Sequence, residues 1–355
     1  MENKTILSNI SVYSFTHALI DATCAAVVFA MFALNKLDLQ TFAYFIILYN
    51  VLAFSLQSPF GLLVDKLRIP VHSAIIGILL TSASTIFLSI PLLAIFLAGI
   101  GNALFHVGGG VISLNLLPKK ATMPGIYVAP GALGLLIGGL IGKGGYFIAW
   151  PFIILLLFSA YLIWNIKKPM INYETNFKGN FKWFEISILL LLLAIAIRGL
   201  AGMILVFPWK SNLYLLIILT LAIVLGKALG GFLGDKFGWM RVSLLGLIIA
   251  APLLSFFTKN PYLAIIGLFC FNLAMPITLT AIANMLPGRA GFAFGLTTLA
   301  LVIGAAPTFT SLKIILNNQL IILGIIIILI LSVYIGLKLY FNHFHKKTIF
   351  IKNKA

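Results

Sequence analysis

The sequence predicts an all-α membrane protein of twelve transmembrane helices in two pseudo-symmetric six-helix bundles, and three observations carry that expectation. Hydrophobic residues make up 62% of the 355 positions and charged residues 9%, with a mean hydropathy of +1.14, so lipid rather than water is the main solvent. Apolar runs of the length that a bilayer core of about 30 Å demands, roughly 20 residues each, follow one another with Gly, Pro, Asn or charge between them. The third observation is an internal repeat. Gly61-Leu62-Leu63-Val64-Asp65-Lys66 and Gly231-Phe232-Leu233-Gly234-Asp235-Lys236 share Gly, Leu, Asp and Lys at matching places, with their aspartates 170 residues apart. Leu117-Pro118 recurs as Leu286-Pro287 at a spacing of 169, so the duplication covers almost half the chain.

Taken in order, the first run (9–33) follows Lys4 and has no small-residue cleavage site, so it reads as a retained span rather than a signal peptide. The second (39–64) leads into the first loop signature; the third (71–89) is short, and the fourth (91–116), fifth (122–142) and sixth (145–166) complete one half. Segment 167–182, KKPMINYETNFKGNFK, is the longest polar break and is expected to be a cytoplasmic linker. The seventh (184–208) and eighth (213–234) spans lead into the second signature, and the ninth (240–257), also short, is followed by 262–285, 290–312 and 319–341. The expected domains are therefore 1–166, the linker 167–182, 183–342, and a basic tail 343–355 lying against anionic lipid.

Charge sets the expected orientation. With the N-terminus inside, the inner loops and tails carry 17 Lys and Arg and the outer loops 5, an asymmetry that places both termini in the cytoplasm of a multi-pass cell-membrane protein. Trp150, Trp164, Trp183, Trp209 and Trp239 fall at span ends, where an indole prefers the headgroup region. The net charge of +17 is scattered over short loops, which argues against nucleic acid as a partner. Cys24 and Cys270 sit in apolar stretches and read as buried thiols.

Two six-helix sets joined by a basic linker, with Gly-x-x-x-Asp-Lys/Arg after the second and eighth spans, resemble the major facilitator superfamily over the whole chain. Within it the sequence looks most like the fosmidomycin-resistance type of drug exporter. His17 and Asp21 match that group's His and Asp one turn apart in the first helix, Gln57-Ser58-Pro59-Phe60-Gly61 its Gln-Pro-x-x-Gly, Ala103-Leu104-Phe105-His106 its Ala-Leu-Phe-His, and Asn284-Met285-Leu286-Pro287-Gly288-Arg289 its tenth-helix ending. The chain departs from the group at His106-Val107-Gly108, where a Pro and an acidic residue are usual, and at Leu67-Arg68-Ile69-Pro70 in place of Gly-Arg-Arg. The resemblance implies that the loop set Gly61, Asp65, Lys66, Gly231, Asp235, Lys236 and Arg241 gates the protein, the acids locking the outward-facing state through charge contacts. Glycines there let helix backbones approach. The Gly- and Pro-rich fifth span, Gly125 to Gly142, loosely resembles an exchanger signature; close packing with a Pro kink is its plainer account.

Ionisable and polar residues within spans are costly and mark cavities. Here they fall on every third helix: His17 and Asp21 on the first, Asn102 and His106 on the fourth, Arg198 on the seventh, and Asn272, Thr280 and Asn284 on the tenth. In the resembled fold those four helices line the central cavity, and the spacings of four put each set on one face. Asp21 is the one carboxylate deep in a span and is the expected proton carrier, assisted by His17 or His106, with Arg198 pairing with empty Asp21 or binding an anionic cargo. A permanent Asp21 pair with Arg198 or His17 that only fixes helix register is the competing account. Lys227 is expected to snorkel.

These readings converge on a secondary active transporter of a small organic solute, expected to be a proton-coupled antiporter working in efflux as a monomer, with the proton as coupling ion. Metabolite uptake or facilitated diffusion is the alternative. Metal export through His17, Asp21 and His106 and a membrane-embedded enzyme or sensor follow behind. No cofactor or resident metal is expected, and no nucleotide-binding loop interrupts the polar segments.

Overall fold

The computed structural model describes residues 2–35, 37–145, 147–175 and 183–352, with side chains through 342. Twelve apolar helices appear among them. They are α1 (Asn3–Leu34), α2 (Leu39–Leu67), α3 (Pro70–Ser84), α4 (Pro91–Leu116), α5 (Thr122–Lys143) and α6 (Ala149–Asn165), then α7 (Phe184–Ile204), α8 (Leu213–Phe237), α9 (Trp239–Phe256), α10 (Pro261–Met285), α11 (Ala290–Phe309) and α12 (Gln319–Lys352). Ten are long and apolar enough to cross a membrane, while α3 and α6 are the shorter pair, where the sequence had pointed to the third and ninth. Helix α12 runs on through Lys352 into the segment read as a tail, and residues 176–182 of the linker and 353–355 of the tail lie outside the described residues.

Each half builds its own core. Tyr13, Phe105, Ile112 and Leu156 are buried in the first, and Leu191, Leu247, Leu254 and Ile326 in the second. In lipid there is no hydrophobic drive between helices, so association depends on close backbone approach. Gly134, Gly138 and Gly142 lie along one face of α5 against Ala18, Ala22 and Ala26 of α1, where an added Cβ would overlap a carbonyl at each step. The repeat mate of Gly134 is Gly304, which abuts Ala196 of α7 in the same way, so both halves use one packing device.

Prolines shape the helices at the positions that matter later. Pro130 has no N–H for the Ile126 carbonyl, and α5 breaks at Ala129–Pro130. Ser14 of α1 donates to that freed carbonyl at 3.3 Å. Pro59 is preceded by a π-helical turn, Val51–Ser55, and Thr298 of α11 donates to the Phe54 carbonyl within it at 3.1 Å. Helix α10 is interrupted between Asn272 and Met275, just ahead of Pro276.

Candidate functional site

Two constellations stand out, one where the halves meet at the end carrying the linker and one at mid-helix in the first half. At the linker end, Asp65 of α2 accepts the backbone N–H groups of Gly291 (3.0 Å) and Phe292 (2.8 Å), the first turn of α11. Asp235 of α8 accepts those of Ala121 (3.0 Å) and Thr122 (2.9 Å) at the start of α5, the Thr122 hydroxyl at 2.6 Å, and Trp239 Nε1 at 2.9 Å. The two contacts are repeats of each other, because the offset of 170 that relates Asp65 to Asp235 also relates Ala121 and Thr122 to Gly291 and Phe292. Unpaired N–H groups and the helix dipole make a helix N-terminus a ready anion site, so each aspartate of one half caps a helix of the other.

The glycines explain why the caps reach. A Cβ on Gly61 would overlap the Gly291 carbonyl and one on Gly231 the Ala121 carbonyl. Higher up, Gly295 abuts the Gln57 carbonyl and Gly125 that of Lys227, again at the 170-residue offset. The charge contacts implied by the resemblance are not what holds the acids here: Lys66, Lys236 and Arg241 are exposed, and no described salt bridge involves Asp65 or Asp235. Backbone amides hold both, joined at Asp235 by the Thr122 hydroxyl and Trp239 Nε1. Trp239, read from sequence as a headgroup anchor, is buried and serves Asp235. Tyr173 of the linker packs on Arg68 beside this end, and burial pushes its phenol up to about 12, so it stays neutral at ordinary pH.

At mid-helix the structure brings together His17, Asp21, Asn102 and His106, all buried. The α5 break puts the Tyr127 carbonyl 2.7 Å from His17 Nδ1, and the Asn102 carbonyl lies 2.8 Å from His106 Nδ1. A carbonyl oxygen only accepts, so both Nδ1 atoms carry hydrogen. In the neutral rings both Nε2 atoms are therefore lone pairs, and they face each other at 2.9 Å. Asp21 adds a carboxylate at 3.2 Å from His17 Nε2 and 3.5 Å from His106 Nε2, steadied by Asn102 Nδ2 at 3.1 Å. Three acceptors thus converge on one point. A donor shared among them, whether a water, a proton or a metal ion, satisfies all three, with Asp21 as counter-charge to a cation. Gly131 keeps this point uncrowded, since a Cβ there would stand 2.5 Å from Asp21 Oδ2 and 2.7 Å from His17 Nε2.

The remaining candidates lie apart from this cluster. Arg198 is buried with no described partner for Nε or either terminal nitrogen, and makes no ion pair with Asp21; the ring of Phe271 lies 5.8 Å from its Cζ. Asn272 and Thr280 each donate to the carbonyl four residues back in their own helix, while Asn284 donates to Tyr340 of α12 at 3.0 Å. Lys227, on α8, is partly buried and lies within electrostatic reach of Asp21 and Arg198. Ala121, Thr122, Gly291 and Phe292 were not singled out from sequence. The 170-residue offset pairs them, but their function is carried by backbone N–H groups that every residue owns.

No protein family's sequence profile matches the chain, and no curated protein matches it. Among solved structures it is similar to a variant of the E. coli fucose:proton symporter FucP, with a TM-score of 0.67 at 13% identity, covering 94% of this chain and 99% of that one. FucP in the outward conformation, described as a major facilitator superfamily transporter, matches with the same TM-score, identity and coverage. The chain has the major facilitator fold. A bacterial homologue of the iron transporter ferroportin, in an outward-facing state, matches with a TM-score of 0.62 at 14% identity over 94% of this chain and 98% of that one. Identities this low establish the fold of a multi-pass membrane protein. None of the three structures is of the fosmidomycin-resistance type, so that narrower likeness rests on the quoted motifs alone.

Proposed function

We propose that the chain is a secondary active transporter that moves a small organic solute across the cell membrane by alternating access, with a proton held at His17, His106 and Asp21 as the coupling ion. The observation that carries this reading is the pair of repeated caps. Each joins one half to the other through a few charge-assisted hydrogen bonds, worth about 1.5–3 kcal/mol apiece, at one end of the molecule only. Contacts of that strength hold a state and release it. With the linker in the cytoplasm, as the basic loops require, the caps close the inner side, in keeping with the outward-facing neighbours. FucP is named as a proton symporter, which supports proton coupling in this fold, and the helix-one and helix-four motifs favour export as the direction.

The shared-proton geometry gives Asp21→Asn a defined outcome. In proteoliposomes the variant retains substrate exchange without a gradient and loses pH-driven accumulation; undiminished pH-driven accumulation overturns proton carriage here. A second reading has its own observation. Ligand atoms about 2.0–2.1 Å from a tetrahedral metal stand about 3.3 Å apart; here the two Nε2 atoms are 2.9 Å apart, and Asp21 lies 3.2 Å from His17 through Oδ2 and 3.5 Å from His106 through Oδ1. Zinc or cobalt titrated into the purified protein therefore separates a proton site from a metal site. The neighbouring cations Lys227 and Arg198 oppose a dication, and we expect no binding below millimolar metal.

A further inference from the structure

Arg198 is the group for which the proton cluster has no use. Its side chain is 7% exposed, and all three guanidinium nitrogens are buried without a described hydrogen-bond partner. A cation over the Phe271 face recovers about 0.5–2 kcal/mol, short of the several kcal/mol that an unpaired charge costs away from water. Nor does the surrounding charge balance. Asp21 is the one described carboxylate at mid-membrane and is already engaged by His17, His106 and Asn102, while Lys227 adds a second cation within reach of both Asp21 and Arg198. Whether or not the histidine pair holds its proton, this part of the protein carries net positive charge.

Access is built in as well. Gly202 lies one turn beyond Arg198, on the same face of α7 and further from the linker end. Ile186, Leu189 and Leu193 are exposed on the other side of the helix, toward lipid. Gly202 itself is exposed, and a Cβ there would meet nothing within 4 Å, so the inner face of α7 is open just above the guanidinium. An unpaired buried arginine one turn from open space on its own helix is suited to a negatively charged guest.

We propose that the transported solute is a small organic anion whose carboxylate or other oxyanion group binds the Arg198 guanidinium, with Lys227 supplying the second positive charge. This rests on the transporter reading and names its substrate class. The planar fork of arginine takes two acceptor oxygens at once, which specifies an oxyanion over a halide. The His17–His106–Asp21 cluster then carries the proton beside the anion, on the other half of the molecule.

The test reads the open space at Gly202 directly and needs no flux. Gly202→Cys is introduced with Cys24→Ala and Cys270→Ala, and the purified protein is treated with anionic, neutral and cationic methanethiosulfonates, each rate normalised to a free thiol. We expect the anionic reagent to lead the cationic one by at least tenfold, Arg198→Gln to bring the ratio close to one, and Arg198→Lys to retain most of it. Benzoate or methylphosphonate at millimolar concentration should slow the neutral reagent in the Arg198 protein and not in Arg198→Gln. A cationic preference, a ratio unmoved by Arg198→Gln, or protection by neither anion overturns the proposal. Since Arg198 makes no described polar contact within the protein, the Gln variant is expected to fold, and Lys227→Gln, lowering the ratio in part, provides an independent check. If Asp21→Asn leaves pH-driven transport intact, proton carriage fails while this measurement stands.

Discussion

The most informative side chains are those whose hydrogen bonds leave something over. His17 and His106 each give their Nδ1 hydrogen to a backbone carbonyl, which in the neutral rings leaves both Nε2 lone pairs facing each other beside Asp21. Removing one ring relieves the crowding, so His106→Ala is expected to leave the fold intact and to reduce pH-driven transport at least tenfold, measured in proteoliposomes. Arg198 is the opposite case, a cation with nothing described to hold it. Replacing a buried unpaired charge with an apolar side chain stabilises, so Arg198→Leu should raise the unfolding temperature in detergent by several degrees while abolishing anion binding. An unchanged or lower unfolding temperature would mean that Arg198 has a structural partner. From sequence, the four-residue spacing of His17 and Asp21 and of Asn102 and His106 suffices to put each pair on one face. It does not say that α1 and α4 meet, which the structure provides through a 2.9 Å contact.

At the scale of helices, shape follows from glycine and proline. The break at Pro130 hands the Ile126 and Tyr127 carbonyls to Ser14 and His17, so the kink in α5 orients the His17 ring. The glycine face of α5 holds α1 close enough for this to work. A Cβ on Gly138 would overlap the Ala22 carbonyl, which is backbone and cannot give way, whereas one on Gly139 meets only Phe29 at 3.7 Å. Gly138→Ala is therefore expected to cost about 1–3 kcal/mol and to lower the yield of monodisperse protein, with Gly139→Ala close to neutral. Comparable behaviour of the two by size-exclusion and thermal unfolding would contradict the packing described. The glycines are plain in the sequence, but which are spacers and which are bystanders depends on the partner helix.

For the molecule as a whole, the proposed alternating access makes the caps set the balance between states. Asp65→Ala and Asp235→Ala each remove two or more charge-assisted hydrogen bonds between halves, and each is expected to shift the population toward linker-end opening by about 10- to 100-fold. Distances between spin labels across that end report the shift, and the double variant should exceed either single one. An unmoved distance distribution would demote the caps to packing contacts. The equivalence of the two sites is itself a prediction of the 170-residue offset, which relates both the acids and the amides they hold.

What the chain determines unaided is whatever depends on composition and repetition. Hydropathy fixes the number of spans, because each must cross the same thickness of lipid, and the Gly61–Lys66 and Gly231–Lys236 pair reveals two like halves, because duplicated genes keep their spacing. It also places His17, Asp21, His106 and Arg198 on every third helix, with Lys227 of α8 as the exception. Tertiary structure alone decided their company: Asp21 with two histidines and not with Arg198, Asn284 with Tyr340, Asp65 and Asp235 with backbone amides rather than side-chain cations. Such choices turn on angstrom-scale approach between segments far apart in the chain. Backbone N–H groups and carbonyls, which settle most of them, are common to nearly every residue and leave no mark on the sequence.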